Sequence, residues 1–362
     1  ELKELDVKER TLRIALHNLY VSFMELKIIR VALTEGWLWE LVEQRASANP
    51  FLSDALRVLR EPTHLQWLEH YEPTSKKTAL FYTGPQTMYR PLIFRYHTRL
   101  FTRFEPLFHS TVVFPEGTKP YSLFYSKELA NILKKKNVNL VVHSTLGPVP
   151  FELDEMYPLA QSVFPLCVDQ ETREKGQQVM ERFLGDTDVL VWADCALVKS
   201  EEPLKHPMDF DRRRISAVAD MQFGQGASEA LFAGKIHIVK SKRTGKIRNI
   251  ICDGSHVASM RAEDGLFTLK IDGGRRLHQR FKYPLLRVVV TDDAEPFVRQ
   301  GKSVFAKFVS ECDPDLRPLD ECLIVDEQDI FLGIGRTLLT RDEMLSFRHG
   351  MAVKTRESIK AE

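Results

Sequence analysis

The chain has 362 residues, 43% hydrophobic and 28% charged, with 51 Lys and Arg against 50 Asp and Glu, a net charge of +1. That length predicts two to four domains with sizeable cores, and no run approaches the eighteen apolar residues of a membrane-spanning helix. The charged start ELKELDVKERTLR excludes a signal peptide, and five cysteines without paired spacing exclude a disulfide scaffold, so the cytoplasm is the expected compartment. No Met opens the sequence, which points to a processed chain or a piece of a longer one. From the N-terminus to residue 75, apolar residues recur at spacings of three and four, as in ERTLRIALHNLYVSFMELKIIRVAL, and predict helices. Gly36 punctuates the first, WLWELVEQRASANP makes a second, and Pro62 should break or kink a third, DALRVLREPTHLQWLEHY.

Over residues 76–204 strands alternate with helices. TALFYTG, STVVFPEG, NVNLVVHS and DVLVWAD read as strands; RPLIFRYHTRLF, SKELANILKKK and REKGQQVMERFLG read as helices, with Ser126 as a candidate N-cap. This rhythm predicts an α/β sandwich with a largely parallel sheet. HPMDFDRRR reads as a polar linker into a small α+β domain at 205–284. Residues 285–362 carry the strand-like runs LRVVV, SVFAKFV and CLIVDE, a glycine-marked strand from Phe331 to Leu338, one helical turn at TRDEML and a last strand, GMAVKTR. AEPFVRQG is a short amphipathic helix ending at Gly301. The predicted fold class is therefore multidomain α+β: a helical segment, an α/β sandwich, a small α+β domain and a C-terminal mixed β-barrel.

The near-zero charge hides segregation. Twelve Lys and Arg face four acids between Gly234 and Lys282, whereas eight acids face Arg317 alone between Glu311 and Asp329. KSKRTGK reads as a hairpin tip turning at Thr244-Gly245, a feature that is commonly just solvated. Lys240, Lys242, Arg243 and Lys246 of that tip, with Arg212, Arg213 and Arg214 before it and Arg275, Arg276, His278, Arg280 and Lys282 after it, would neutralise several phosphates if folded onto one face. FGQGASEALF holds Gly224 and Gly226 before a helix but lacks a third glycine, so a tight turn is expected in place of a nucleotide site. On pattern alone, His17 is a core or capping histidine of an apolar helix.

The order of the last elements, their glycines and the closing GMAVKTR resemble the PUA domain, an RNA-binding module of RNA-modifying enzymes. That resemblance implies a surface made by Arg299, Lys302, Arg336, Lys354 and Arg356 that grips an RNA stem by shape and backbone. ALHNLYVSFMELKIIRVALTEGWLWELVEQRA resembles the segment of tRNA-guanine transglycosylases that follows their zinc-binding cysteines, with the histidine of HNL as fourth ligand. VPFELDEMYPLAQSV, SAVADMQFGQGASEALF and HIVKSKRTGKIRNIICDG extend the resemblance, in order, over the whole chain toward the archaeal, archaeosine-forming branch of that family.

The resemblance implies the tRNA-binding half of an enzyme that exchanges a D-loop guanine for 7-cyano-7-deazaguanine, with the catalytic TIM-type barrel elsewhere. It also implies a zinc completed on His17 by cysteines outside this chain, a homodimer or heterotetramer with the barrel-bearing partner, and no catalytic residue here. PEGTKPYSLFYSKEL is similar to the signature of archaeosine synthase, but Glu116 and Lys127-Glu128 stand where that family has a cysteine and a histidine. An amidotransferase using Lys119, and a non-catalytic tRNA-binding adaptor, are the alternative readings.

Overall fold

A computed structural model describes residues 2–134, 137–192 and 209–360. Lys135 and Lys136, the end of DVLVWAD, Cys195, the 204/205 boundary and the first three residues of HPMDFDRRR lie outside the described residues.

Four helices come first: α1 (Val7–Glu35), α2 (Leu38–Ser47), α3 (Pro50–Val58) and α4 (Pro62–Tyr71). Asp6 caps α1 by accepting from the amides of Lys8 and Glu9, and Gly36, at φ +84°, closes it with its N–H on the Ala32 carbonyl. Pro50 and Pro62 each open a helix, where the missing N–H costs nothing. The break expected at Pro62 is thus a short gap after Val58, from which the chain starts a new helix.

The next part holds β1 (Leu80–Phe81), α5 (Pro91–Arg103), β2 (Ser110–Pro115), α6 (Tyr121–Phe124), α7 (Ser126–Leu133), β3 (Asn139–Ser144), β4 (Gly147–Pro150), β5 (Ser162–Val163), α8 (Gln170–Leu184) and β6 (Asp188–Val191). Its main sheet runs β4-β3-β2-β6, with β3, β2 and β6 parallel and β4 antiparallel at one edge. Its central strands are apolar on both faces (Val112, Phe114, Leu140, Val141, Val142 are all buried), as a sheet covered on both sides requires. Two expectations shift here. TALFYTG contributes only Leu80–Phe81, paired with Ser162–Val163. Ser126 is not a cap: α6 runs almost directly into α7, so Tyr125 takes the cap position and no side chain bonds there.

The small domain comprises α9 (Phe210–Phe223), α10 (Ala227–Leu231), the antiparallel meander β7 (Ile236–Lys240), β8 (Ile247–Cys252), β9 (Ser255–Met260) and β10 (Phe267–Leu269), and α11 (Ile271–Arg280). Within the described residues, the expected linker is the first turn of α9, whose Asp209 side chain accepts from the Asp211 amide. Gly224 ends α9 and Gly226, at φ +84°, opens α10, which is the tight turn the sequence suggests. One apolar core joins this domain to the α/β part, through residues such as Ile215, Val218 and Phe267.

The C-terminal barrel has β11 (Arg287–Val290), α12 (Glu295–Arg299), β12 (Val304–Phe305), β13 (Val309–Cys312), β14 (Glu321–Val325), β15 (Phe331–Thr337), α13 (Arg341–Ser346) and β16 (Met351–Ser358). Its strand order is β12-β16-β15-β14-β11-β13 around its own apolar core. SVFAKFV is two strands split by a 3-10 turn at Ala306–Phe308, which lets the chain cross from one end of the sheet to the other. The strand glycines permit close approach: a Cβ on Gly333 would stand 2.5 Å from the Glu357 carbonyl oxygen. Gly333→Ala is therefore expected to destabilise the barrel by about 1–3 kcal/mol, read as a lowered urea midpoint.

Buried ion pairs lock the barrel to the helices. Glu69 on α4 accepts from Arg95 on α5 and, at 2.7 to 3.0 Å, from Arg317 on the loop before β14. Around it the Thr74 amide donates to the Pro318 carbonyl at 3.0 Å, and the Tyr71 hydroxyl lies 3.2 Å from Asp342.

Candidate nucleic-acid interface

The barrel presents an open groove of about 970 Å³ between α12, the Gly301 turn and the end of β16. The groove exists because Gly301 adopts φ +79°, a left-handed conformation that turns the chain sharply from α12 toward β12. Two hydrogen bonds hold that turn on β16: Thr355 Oγ1 donates to the Lys302 carbonyl at 2.8 Å and Ser358 Oγ to the Arg299 carbonyl at 3.1 Å. Arg299 and Arg356 line the groove. Each is oriented by a carboxylate, Arg299 by Glu295 at 2.7 Å and Arg356 by Glu321 at 3.2 Å. Lys302 and Lys354 are exposed and have no carboxylate partner among the described residues. Arg356 lies where β16 shifts register against β15, between Thr355 opposite Gly335 and Glu357 opposite Ile334. Two of the five expected barrel residues, Arg299 and Arg356, therefore line the groove, and Lys302 and Lys354 flank it, the Lys302 carbonyl being held by Thr355 next to Lys354.

Arg336 does not join them. It faces Lys354 across the β15–β16 pair, and like charges so placed repel. Its guanidinium turns the other way, to the Leu319 carbonyl (3.0 Å) and Ser75 Oγ (3.4 Å), where burial pushes its pKa down. It serves the contact between barrel and helices.

A second cationic feature is the β7–β8 hairpin. Its tip is closed by the Ser241 amide on the Lys246 carbonyl and the Gly245 amide on the Ser241 carbonyl, both 2.8 Å, with Gly245 at φ +69°. Lys242 and Arg243 are exposed at the tip. Lys240 and Lys246 at its base are paired, with Asp211 and with Glu155 (3.2 Å), so they fix the hairpin to the body. Arg212 is exposed on α9, next to the Asp211 that Lys240 bonds.

Arg213 and Arg214 are a correction. Both are buried, because α9 lies against the α/β domain and its fourth and fifth residues point inward. Arg213 pairs with Glu152 at 2.5 Å; Arg214 pairs with Asp154 at 2.8 Å and Glu155 at 2.5 Å. Guanidiniums neutralised in this way have no free face for phosphate. Arg275 stays exposed near Asp272 on α11. Arg276 instead donates to the carbonyls of Leu231 (3.1 Å) and Ala233 (2.8 Å), where it satisfies the C-terminal end of α10. His278 bonds Asp329 and is held at the seam with the barrel.

The segment around Lys119 is knit together by internal bonds. Lys119 Nζ donates to the Ser162 carbonyl at 2.9 Å and to Ser162 Oγ, and burial brings its pKa down to about 8. The Tyr121 hydroxyl donates to Glu116, which also accepts from the amide and hydroxyl of Thr145. These residues hold the β2–α6 loop against its neighbours. The buried thiols are equally unsuited to chemistry: burial drives Cys312 up to about 12 and Cys322 well above its ordinary value.

His17 lies in the middle of α1, exposed. Among the described residues no group of three or more His, Cys, Asp or Glu side chains converges as a metal cage, so these residues alone do not form a zinc site. The surroundings of His17 are telling in another way. Leu12, Leu16, Leu19, Phe23 and Leu26 follow at alternating spacings of four and three, and all are exposed; only Ala32 of the whole helix is buried. An exposed apolar stripe of this length has the character of a contact face. Among the described residues no helix is long and apolar enough to cross a membrane.

A six-stranded barrel with a cationic groove, carried on a small basic α+β domain, defines an RNA-type recognition module of the PUA class. Family models agree: residues 213–284 match the patch-forming domain C2 of tRNA-guanine transglycosylase, and residues 286–359 match the PUA domain. Over almost its full length the chain is a homologue of the archaeal tRNA-guanine(15) transglycosylases. It is 41% identical to that of Methanobrevibacter smithii, over 99% of this chain and 57% of the relative, and 38% identical to that of Methanothermobacter thermautotrophicus, over 99% and 56%. The chain thus spans somewhat more than half the length of these curated relatives. A crystallised protein of unknown function shares the fold at a TM-score of 0.50 and 17% identity, covering 73% of this chain and 99% of that one.

Proposed function

We propose that this chain is the tRNA-holding portion of a tRNA-guanine(15) transglycosylase. It grips tRNA through the barrel groove and the β7–β8 tip, while base exchange takes place on residues outside it. The observation that supports this most is an open groove in a PUA domain, lined by Arg299 and Arg356 and flanked by the exposed Lys302 and Lys354. The exchange is that of a D-loop guanine for 7-cyano-7-deazaguanine on a catalytic barrel. Drawing a stacked base out of tRNA costs a few kcal/mol, and phosphate contacts spread over distant domains offset it. The uncovered apolar face of α1 supports a barrel-bearing partner, with His17 giving one ligand to a zinc that cysteines of that partner complete. The shared zinc would fix the two surfaces in register; the groove and hairpin do the holding.

Binding of a tRNA transcript, measured against salt, tests the reading. Affinity is expected to fall by roughly tenfold or more between about 50 and 200 mM salt. Lys302→Glu with Lys354→Glu should weaken binding about 10- to 100-fold and lower the salt slope by about two, one for each phosphate that is no longer neutralised. Binding that is unchanged in this variant would overturn the groove as the grip.

A further inference from the structure

A second cavity, about 530 Å³, opens between the start of α4, helix α5 and helix α8, and none of its lining residues belongs to the groove or the hairpin. Its walls combine two chemistries. Tyr89 and Phe101 supply aromatic faces; Arg60, Lys175 and Arg182 supply cations. The Arg60 guanidinium sits 4.4 Å from the Tyr89 ring centre, with Lys175 Nζ 5.4 Å from the same ring, and the Arg182 guanidinium sits 4.2 Å from that of Phe101.

The cations are only partly neutralised. Glu171 pairs with Arg60 at 2.5 Å, but Arg60 Nε is buried without a hydrogen-bond partner. Lys175 and Arg182 have no carboxylate partner among the described residues. His97 lines the inner wall as a neutral ring, because burial pushes its pKa down to about 4 and its Nε2 is bonded to the Leu146 carbonyl at 2.8 Å.

We infer that this cavity binds one nucleoside monophosphate unit, its base stacked on the Arg60 guanidinium that lies over Tyr89 and its phosphate on Lys175 and Arg182. An aliphatic anion would leave the rings unused, and an uncharged aromatic would leave the cations uncompensated. A nucleotide satisfies both, and the cavity falls in the range of small-molecule sites. Guanidiniums already lying on rings present flat cationic faces on which a base stacks. The unit comes either from a free nucleotide or from an unpaired residue of RNA, and this site is independent of the tRNA grip proposed above.

Calorimetric titration of the full chain with adenosine and guanosine 5′-monophosphates, and with a single-stranded RNA tetranucleotide, tests the inference. Saturable binding is expected. Lys175→Glu with Arg182→Glu should weaken it at least about tenfold, as removal of charge-assisted hydrogen bonds does, with the melting temperature unchanged. Arg182→Gln, at an exposed position, gives a second reading in the same direction should the double variant not fold. Tighter binding of the tetranucleotide assigns the site to RNA; equal affinity assigns it to a free nucleotide. The groove variant Lys302→Glu with Lys354→Glu should leave mononucleotide binding intact, so a failed tRNA grip and a failed pocket are told apart. No saturable binding of any of these probes, or equal affinity in the charge-reversed variants, overturns the inference.

Discussion

Replacing Glu69 by Ala is expected to cost about 3–5 kcal/mol of stability, because it leaves Arg95 and Arg317 buried without their shared carboxylate. This one side chain ties α4, α5 and the C-terminal barrel together. Burial alone would raise the Glu69 pKa, but Arg95 and Arg317 outweigh it and hold it at about 2. A folded-state pKa below the ordinary glutamate value means stability that is fully present above about pH 4.5 and lost as pH falls toward 2. That contribution is about 3 kcal/mol. Chemical denaturation of Glu69→Ala at neutral pH checks the first figure, and the acid limb of the wild-type profile, flattened in the variant, checks the second. A loss below about 1 kcal/mol would mean that apolar packing, in which Leu323, Phe331 and Ile334 of the barrel join the main core, holds the barrel in place.

The second large effect concerns α1. Leu19→Asp with Phe23→Asp should leave the melting temperature of the isolated chain almost unchanged, since both side chains are already exposed. The same double variant should lose association with a polypeptide carrying the transglycosylase barrel by more than about 100-fold, because each buried anchor is worth roughly 1.5–3 kcal/mol and a charge now enters the contact. Analytical ultracentrifugation of the mixture reads this directly. A variant that melts early would show instead that α1 packs on its own chain, and retained association would remove α1 from the interface.

Much of this was legible in the sequence where a pattern has one physical solution. STVVFP and NLVVHS have continuous apolar centres, VVF and LVV, as a strand covered on both faces requires. Pro62 and Gly36 mark real helix ends because their backbone constraints act locally. The barrel cations were legible through the turn at Gly301, which Arg299 and Lys302 flank, and through the PUA resemblance of the last strands.

Arg213 and Arg214 show where this ends. A polar run before a helix reads as solvent-facing, yet Glu152, Asp154 and Glu155, some sixty residues earlier, draw both guanidiniums inward. Arg336 turned away for the same reason, toward a carbonyl and a hydroxyl that sequence does not place near it. The α5–α8 cavity was half visible. Lys175, Gln178 and Arg182 share a face of α8 by spacing, as Phe94, His97 and Phe101 do on α5, but only the packed structure sets the two faces opposite each other.

The proposal that this chain holds tRNA while the chemistry lies elsewhere is tested most directly by incorporation of labelled guanine into a tRNA transcript. The chain alone is expected to bind the transcript and incorporate no label. Adding a polypeptide that carries the transglycosylase barrel and its zinc cysteines should restore incorporation at one D-loop position. Incorporation by the chain alone, or a mixture in which the barrel works equally well without it, would contradict the account.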